Sequence, residues 1–212
     1  MLLLPRGAAA AKTVPKTTSY VIHGKQDGPR DADLDVKAEL DGGKVRLGVT
    51  VTDDRDLPLP SPRAPDADFL RSDHLEIWLQ PGPRRAEVRQ LGVARLPDGT
   101  AHARWLHPRK LAAPLPAVAA PAPGRFTIEL DAAALLGKPR FDPAIRHELP
   151  FAAAFSDSDQ PGKRQETVIA TSQLRWGKPE TFGALIWFQN GARFPPVRGG
   201  SRADLQISRA KR

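Results

Sequence analysis

The sequence predicts an all-β fold, an antiparallel two-sheet β-sandwich of about ten strands with one short helix. Three observations indicate this fold. The 212 residues include 22 prolines and 17 glycines, which interrupt the chain so often that helices of ordinary length have no room. Between these residues lie short runs with period-2 alternation of apolar and polar side chains. Hydrophobic residues make up 40% of the chain, which is enough for the core of one sandwich-sized domain.

The clearest alternating run covers residues 44–53 and places four apolar side chains on one face, those of Val45, Leu47, Val49 and Val51. Residues 34–40 repeat the alternation, and the Asp41-Gly42-Gly43 segment between the two runs is typical of a turn. The sequence therefore predicts a hairpin whose apolar face belongs to a core.

Further alternating or apolar runs predict the other strands, at residues 19–22, 75–79, 88–96, 101–106, 126–130, 151–155, 166–171 and 184–188. The helix is predicted at residues 131–136, where Asp131 can cap its start and Gly137 can end it. Trp187 is expected in the core, and Trp105 is expected to point inward.

Two segments interrupt the strands, and both are predicted to be long extended surface loops. Residues 55–68 carry four prolines, and residues 111–124 are almost entirely Ala and Pro. The expected organisation is a flexible segment at residues 1–17, the sandwich at 18–190 and a basic Gly/Arg-rich tail at 191–212. Within that tail, residues 203–208 could add one edge strand.

The net charge of +8 lies in the two ends of the chain. Residues 1–16 contribute +3 and residues 191–212 contribute +5, which leaves 23 basic and 23 acidic residues between them. A folded nucleic-acid reader needs a basic face on the domain itself, because neutralising phosphates supplies most of its affinity. The sequence therefore predicts no nucleic-acid binding by the folded body.

Absent features narrow the function classes further. The chain has no cysteine, which excludes disulfides, thiolate metal sites and cysteine nucleophiles. No apolar run approaches the length of a membrane span, and the start of the chain is too short for a signal peptide, although residues 8–11 resemble the end of a leader. No hydrolase, zinc-protease or nucleotide-binding motif is present, so we expect a protein that is not an enzyme.

Closely spaced acidic residues suggest a metal site. Asp53 and Asp54 form one pair and Asp157 and Asp159 another, and clustered carboxylates suit a hard cation such as calcium. The EF-hand pattern fails, because Val168 stands where a bidentate Glu should be. The alternative is that these aspartates cap turns at strand ends.

Trp176 is the aromatic residue that the pattern places at a surface. It lies in the turn-like stretch Arg175-Trp176-Gly177-Lys178-Pro179, where a large ring is presented at a loop. An exposed Trp ring can stack on a pyranose while a neighbouring charged group binds the hydroxyls. The alternative is a Trp folded over the end of the sheet as a plug.

Five segments follow one another along the chain: residues 31–54 with Val-Arg-Leu-Gly-Val-Thr-Val-Thr-Asp-Asp, the stretch Ser-Asp-His-Leu-Glu-Ile-Trp-Leu at 72–79, Phe-Thr-Ile-Glu-Leu at 126–130, Phe-Ser-Asp-Ser-Asp at 155–159, and residues 175–185. In this order they resemble the family 9 carbohydrate-binding modules and the wider DOMON-like sandwich group. The resemblance covers about residues 18–190.

This resemblance implies a non-catalytic domain that binds the end of a sugar chain between aromatic rings and binds calcium structurally. Glu76 matches the family's strand Glu, and Trp176 matches one clasping aromatic. Phe69 is the candidate for the second aromatic, a poorer platform than a Trp. Arg95 is the candidate for the hydroxyl-binding Arg, with Arg89 and Arg104 as competitors. The resemblance implies a secreted, periplasmic or cell-surface location, within a larger cell-envelope protein.

Two other functions stay open at the level of sequence. The first is a DOMON-like haem-binding electron-transfer domain, which would need two of the histidines at positions 23, 74, 102, 107 and 147, because Met1 is the only methionine. The second is a ligand-free structural or interaction domain of an envelope protein.

Overall fold

Two packed β-sheets, seen in a computed structural model of the protein, confirm the predicted all-β fold. The structure describes residues 19–26, 31–41, 44–82, 84–109, 111, 113–131, 147–187 and 204–209. Within these ranges there are twelve strands, two more than the sequence predicts: β1 (Tyr20–His23), β2 (Ala32–Asp41), β3 (Lys44–Asp53), β4 (His74–Leu79), β5 (Arg89–Arg95), β6 (Ala101–His107), β7 (Ala117–Ala122), β8 (Arg125–Asp131), β9 (His147–Asp157), β10 (Thr167–Ala170), β11 (Gly183–Trp187) and β12 (Asp204–Arg209).

The first sheet has the order β6-β5-β4-β9-β11, and the second has the order β2-β3-β8-β7. Neighbouring strands within each sheet are antiparallel. The C-terminal half of β9 also pairs with β10, and β10 pairs with β1. Strand β12 runs parallel to both β11 and β2 and so connects the two sheets.

The core lies between the sheets and is filled by the alternating residues that the sequence predicts. Val45, Leu47, Val49 and Val51 are buried there, as are Leu75, Ile77 and Leu79 from β4. Trp105 packs against this core and donates from its indole Nε1 to the carbonyl oxygen of Ala113 at 3.1 Å. The inward orientation expected for Trp105 is therefore confirmed, whereas the side chain of Trp187 lies outside the described part of the structure.

The first sheet has a second covered face, and this outer face carries the candidate binding site. The odd-numbered residues of β4 enter the core, so His74, Glu76 and Trp78 project outward. Loops pack onto them: Trp78 joins an outer apolar cluster with Phe182, and Phe69 joins another with Leu59, Ala64, Ala94 and Leu96. The sheet is consequently buried on both sides near β4.

Three sequence expectations about the segments between the predicted strands were wrong in whole or in part. Residues 111–124 contain β7, because the extended Ala/Pro backbone pairs with β8, and Pro121, which has no N–H to donate, lies at the irregularity in this edge strand. Residues 55–65 form the predicted irregular segment at the surface, but Leu59 and Ala64 are buried against the sheet and α1 (Asp66–Phe69) follows, so the expectation of an extended loop as far as residue 68 holds only in part. The strand near residues 203–208 exists as β12, but it is not at an edge.

The described helical structure is short. It consists of the four-residue α1 and two 3-10 turns, Arg85–Glu87 and Pro179–Thr181. The helix expected at residues 131–136 falls outside the described residues beyond Asp131, which ends β8. Among the described residues, none of the helices has the length and apolar character required to cross a membrane.

Candidate functional site

A cavity of about 800 Å³ opens on the outer face of the first sheet. Its floor is formed by outward-facing residues of β4 and β5, and its walls come from the end of β6, from β1 and from the loop that carries Trp176. We call it the Trp176 cavity, and its lining includes His23, Asp66, Glu76, Trp78, Gln90, His107, Arg109, Arg175 and Trp176. Two of the four predicted carbohydrate-binding residues, Glu76 and Trp176, therefore share one concave site.

Trp176 is the most exposed large hydrophobic residue in the described part of the chain, with 70% of its surface accessible. It lies in a tight turn closed by the bridge between Arg175 and Lys178, in which Gly177 adopts φ +64°. The imidazole of His107 approaches the indole edge to face, with 5.9 Å between the ring centroids. The ring is thus presented at the wall of the cavity and is not a buried plug.

Glu76 lies at the floor, and two donors hold its carboxylate. His74 Nε2 approaches Oε1 at 3.3 Å and Trp78 Nε1 donates to Oε2 at 3.0 Å, and the side chain of Gln90 lies close by. Burial raises the pKa of Glu76, but these donors, His74 foremost, outweigh burial and lower the pKa below its usual value. A carboxylate has about four acceptor positions, and these two donors leave Glu76 with acceptor capacity for a ligand.

His74 is fully buried, and both of its ring nitrogens are engaged. Nδ1 lies 2.7 Å from the carbonyl oxygen of Ser72, which can only accept, so Nδ1 donates. Nε2 faces the carboxylate of Glu76, which also accepts. His74 therefore orients Glu76 and has no nitrogen left for a haem iron.

Phe69 does not line the cavity, so its predicted role as the second clasping aromatic is wrong. The single turn of α1 rotates its side chain inward, where it is 0% exposed. Its ring contacts His74 edge to face at 5.0 Å, and the guanidinium of Arg104 stacks on it at 4.7 Å. The ring fills the space above Gly92, where an added Cβ would come within 2.6 Å of it.

Arg95 does not line the Trp176 cavity either. Glu76 lies directly opposite Gly92 on the neighbouring strand β5, so these two positions share one face of the sheet. Arg95 is three residues after Gly92, and an odd spacing along a strand places its side chain on the other face. There its Nη1 bonds Asp56 at 2.6 Å beside a second, smaller cavity. Among its competitors, Arg89 is also absent from the lining of the Trp176 cavity, and Arg104 bonds the carbonyl of Ala64. The guanidinium groups that line the Trp176 cavity belong to Arg109 and Arg175, which the sequence did not single out.

The predicted acidic residues do come together, at one end of the sandwich. Carboxylate oxygens lie within 4.8 Å of one another in three overlapping groups: Asp53 with Asp54 and Asp159, Asp31 with Asp157 and Asp159, and Asp53 with Asp73 and Asp157. We call these six residues the acidic cluster. Asp53 and Asp157 continue the inward-facing stripes of β3 and β9, which explains why their carboxylates point into the protein.

Asp157 is the most unusual member of the acidic cluster. It is 1% exposed, and neither of its carboxylate oxygens has a hydrogen-bond partner. Burial, followed by the charges of Asp53 and Asp159, raises the pKa of Asp157 to about 8. Burial also raises the pKa of Asp53 to about 6. A buried carboxylate normally has a partner, so this arrangement is one that a bound cation would satisfy.

Asp73 belongs to the acidic cluster but was missed from the sequence. Its carboxylate accepts backbone N–H groups from Leu57 and from Ser158, the latter at 2.9 Å. It thereby ties the loop before β4 to the end of β9. Asp73 lies two residues before Leu75, so it continues the row of inward-facing residues of β4. This spacing could have identified it from the sequence.

Comparison with known proteins adds no relative, since no protein-family model matches the chain and no curated protein matches its sequence.

Proposed function

We propose that this protein is a non-catalytic carbohydrate-binding domain that receives a sugar in the Trp176 cavity. The observation that carries the proposal is the exposure of the Trp176 ring at the wall of a cavity whose floor holds Glu76. An exposed indole on a concave wall supplies a flat apolar surface for the C–H face of a pyranose. An acceptor position of Glu76 that the protein leaves open supplies a directional hydrogen bond to a hydroxyl.

The ring beside Trp176 differs from the one that the resemblance implies. His107 contacts the indole edge to face and lines the same cavity, whereas Phe69 is fully buried. In the proposed complex, His107 therefore supports the Trp176 platform from its side, the sugar stacks on one aromatic ring, and Arg109 and Arg175 are the guanidinium groups within the site in place of Arg95.

The test is a glycan array followed by calorimetric titration of the glycans that bind. The proposal expects the wild-type protein to bind and Trp176→Ala to lose binding while keeping its melting temperature. Leu115→Ala is the matched control, because it removes another exposed apolar side chain that lies outside the cavity. Absence of binding across neutral and acidic glycans would contradict the proposal.

We also propose that the acidic cluster binds a structural calcium ion. The supporting observation is Asp157, whose buried carboxylate lacks a partner while other carboxylates lie within coordinating reach. Calcium prefers oxygen ligands of this kind. Asp53, Asp54, Asp157 and Asp159 would hold the ion, with Asp31 adjacent, and the ion would neutralise the mutual repulsion of the cluster.

A second candidate function, haem binding, rests on His23 and His107, which both line the Trp176 cavity. An absorption spectrum of the purified protein with added haem separates the two functions. A Soret band that His23→Ala and His107→Ala each abolish would favour haem over a sugar.

A further inference from the structure

Charge in the lining of the Trp176 cavity is unevenly compensated. Among the described residues that line it, the acids are Asp66 and Glu76, and the permanently charged bases are Arg109 and Arg175. These numbers alone suggest a neutral site. The contacts of each group show that the negative charges are already matched by the protein, while a positive charge remains.

Glu76 offers little negative charge to a ligand. Its side chain is only 12% exposed, and two protein donors, one on each oxygen, hold the carboxylate. Each donor places a positive hydrogen against an oxygen, and together they neutralise most of the field that the carboxylate would project into the cavity.

The negative charge of Asp66 is balanced by two guanidinium groups. Its Oδ1 lies 3.3 Å from Arg104 Nη1, and its Oδ2 lies 3.1 Å from Arg109 Nε. Two guanidinium groups therefore share one carboxylate. The Asp66 side of the cavity is left with an excess of positive charge.

Arg175 supplies the uncompensated charge nearest to the sugar platform. It precedes Trp176 in the same tight turn, and its backbone N–H donates to Thr181 Oγ1 at 2.9 Å, which fixes the turn. Its side chain is exposed, and in the described part of the chain no carboxylate lies within ion-pair distance of it. A guanidinium beside an aromatic platform suits an anion carried on the stacked ring, because it can bind carboxylate or sulfate oxygens in bidentate fashion.

We infer that the saccharide recognised in the Trp176 cavity is anionic, carrying a carboxylate or a sulfate ester. The ring stacks on Trp176, and the anionic group is bound by Arg175, with the Arg104–Asp66–Arg109 group adding positive potential. This inference rests on the proposed carbohydrate-binding function and names its ligand class.

The test compares matched ligands by calorimetry. The probes are tetragalacturonate, its carboxyl-reduced counterpart with the same linkage, and a sulfated galactose tetramer. We expect the two anionic probes to bind about tenfold or more tightly than the reduced one, and the difference to shrink between about 0.02 M and about 0.3 M salt. Arg175→Gln should remove most of the preference, and Arg175→Lys should keep part of it. Arg125→Gln, which removes an exposed guanidinium outside the cavity, should leave it unchanged.

Equal affinity for the charged and reduced tetramers, or a preference that Arg175→Gln leaves intact, would overturn the inference. If the neutral tetramer binds and Trp176→Ala abolishes that binding, the carbohydrate proposal stands and only the anionic preference is lost. If no tetramer and no arrayed glycan binds, both are refuted. A preference for the sulfated tetramer alone would assign the anionic group to a sulfate ester.

Discussion

Asp73 and Glu76 lie three residues apart at the start of β4 and project to opposite faces of the first sheet. Asp73 joins the acidic cluster at the end of the core, whereas Glu76 lines the Trp176 cavity on the outer face. β4 and the residue directly before it therefore contribute to both candidate sites, on opposite faces of the sheet. Substitutions at one site can be tested without removing a group of the other.

Phe69→Ala should lower the free energy of unfolding by about 3–5 kcal/mol, because it empties a buried site packed against Gly92 and His74. Urea denaturation measures the change. Trp176→Ala is the comparison and should change the unfolding free energy by about 0.5 kcal/mol or less, since its ring is exposed. A Phe69 variant of wild-type stability would mean that this ring is not part of the core.

Glu76→Gln should destabilise the fold by about 1–3 kcal/mol as well as weaken sugar binding. The carboxylate accepts from His74 on one oxygen and from Trp78 on the other, and an amide offers one oxygen and turns its NH₂ group toward a donor. Thermal and urea unfolding measure the loss, with Glu180→Gln, an exposed carboxylate outside the cavity lining, as control. Wild-type stability in Glu76→Gln would contradict the hydrogen bonding described here.

Calcium should raise the melting temperature of the wild-type protein, and a chelator should reverse the rise, because a ligand that binds only the folded state stabilises it. Asp157→Asn should abolish this response. The variant should also be more stable than the wild type in chelator at neutral pH, since the wild type must either bury an unpartnered charge at Asp157 or take up a proton there on folding. Glu39→Gln, an exposed carboxylate on β2, should respond to calcium as the wild type does. A wild-type melting temperature that stays constant over a wide calcium range would refute the metal site.

The stability of the metal-free protein should fall as pH rises from about 4 to about 8. The folded-state pKa values of Asp53 and Asp157 are raised to about 6 and about 8, from 3.8 for the free side chain. In this window the unfolded chain has released protons that the folded protein still holds, so a higher pH favours unfolding. Melting curves in chelator test the slope, and saturating calcium should flatten it. A chelated protein that grows more stable over this interval would show that these carboxylates have other partners.

The local sequence pattern predicted the strands in which apolar and polar residues alternate, because these strands bury one face. The alternation in β2, β3, β4 and β9 sets the inward-facing rows, and the rows of β3 and β9 place Asp53 and Asp157 at the end of the core. Strand β7 has no such signal, because its Ala/Pro sequence pairs through the backbone with β8. The position of β12 between two strands that are distant in sequence could not be read from its own residues.

The sequence predicted the position of a site residue only where its neighbours along the chain determine its surroundings. The turn chemistry around Trp176 correctly indicated an exposed ring. The burial of Phe69 depends on one helical turn after a proline-rich segment, and the exclusion of Arg95 depends on which residue of β5 lies opposite Glu76. Both facts belong to tertiary structure, which is why the second aromatic and the arginine were misassigned.

The most direct test of the carbohydrate proposal is a glycan array of neutral and acidic saccharides probed in parallel with the wild-type protein, Trp176→Ala and Leu115→Ala. We expect the wild type and Leu115→Ala to bind the same glycans, and Trp176→Ala to lose about tenfold or more in affinity at an unchanged melting temperature. Binding that persists in Trp176→Ala, or no binding by the wild-type protein, would contradict a sugar platform at Trp176.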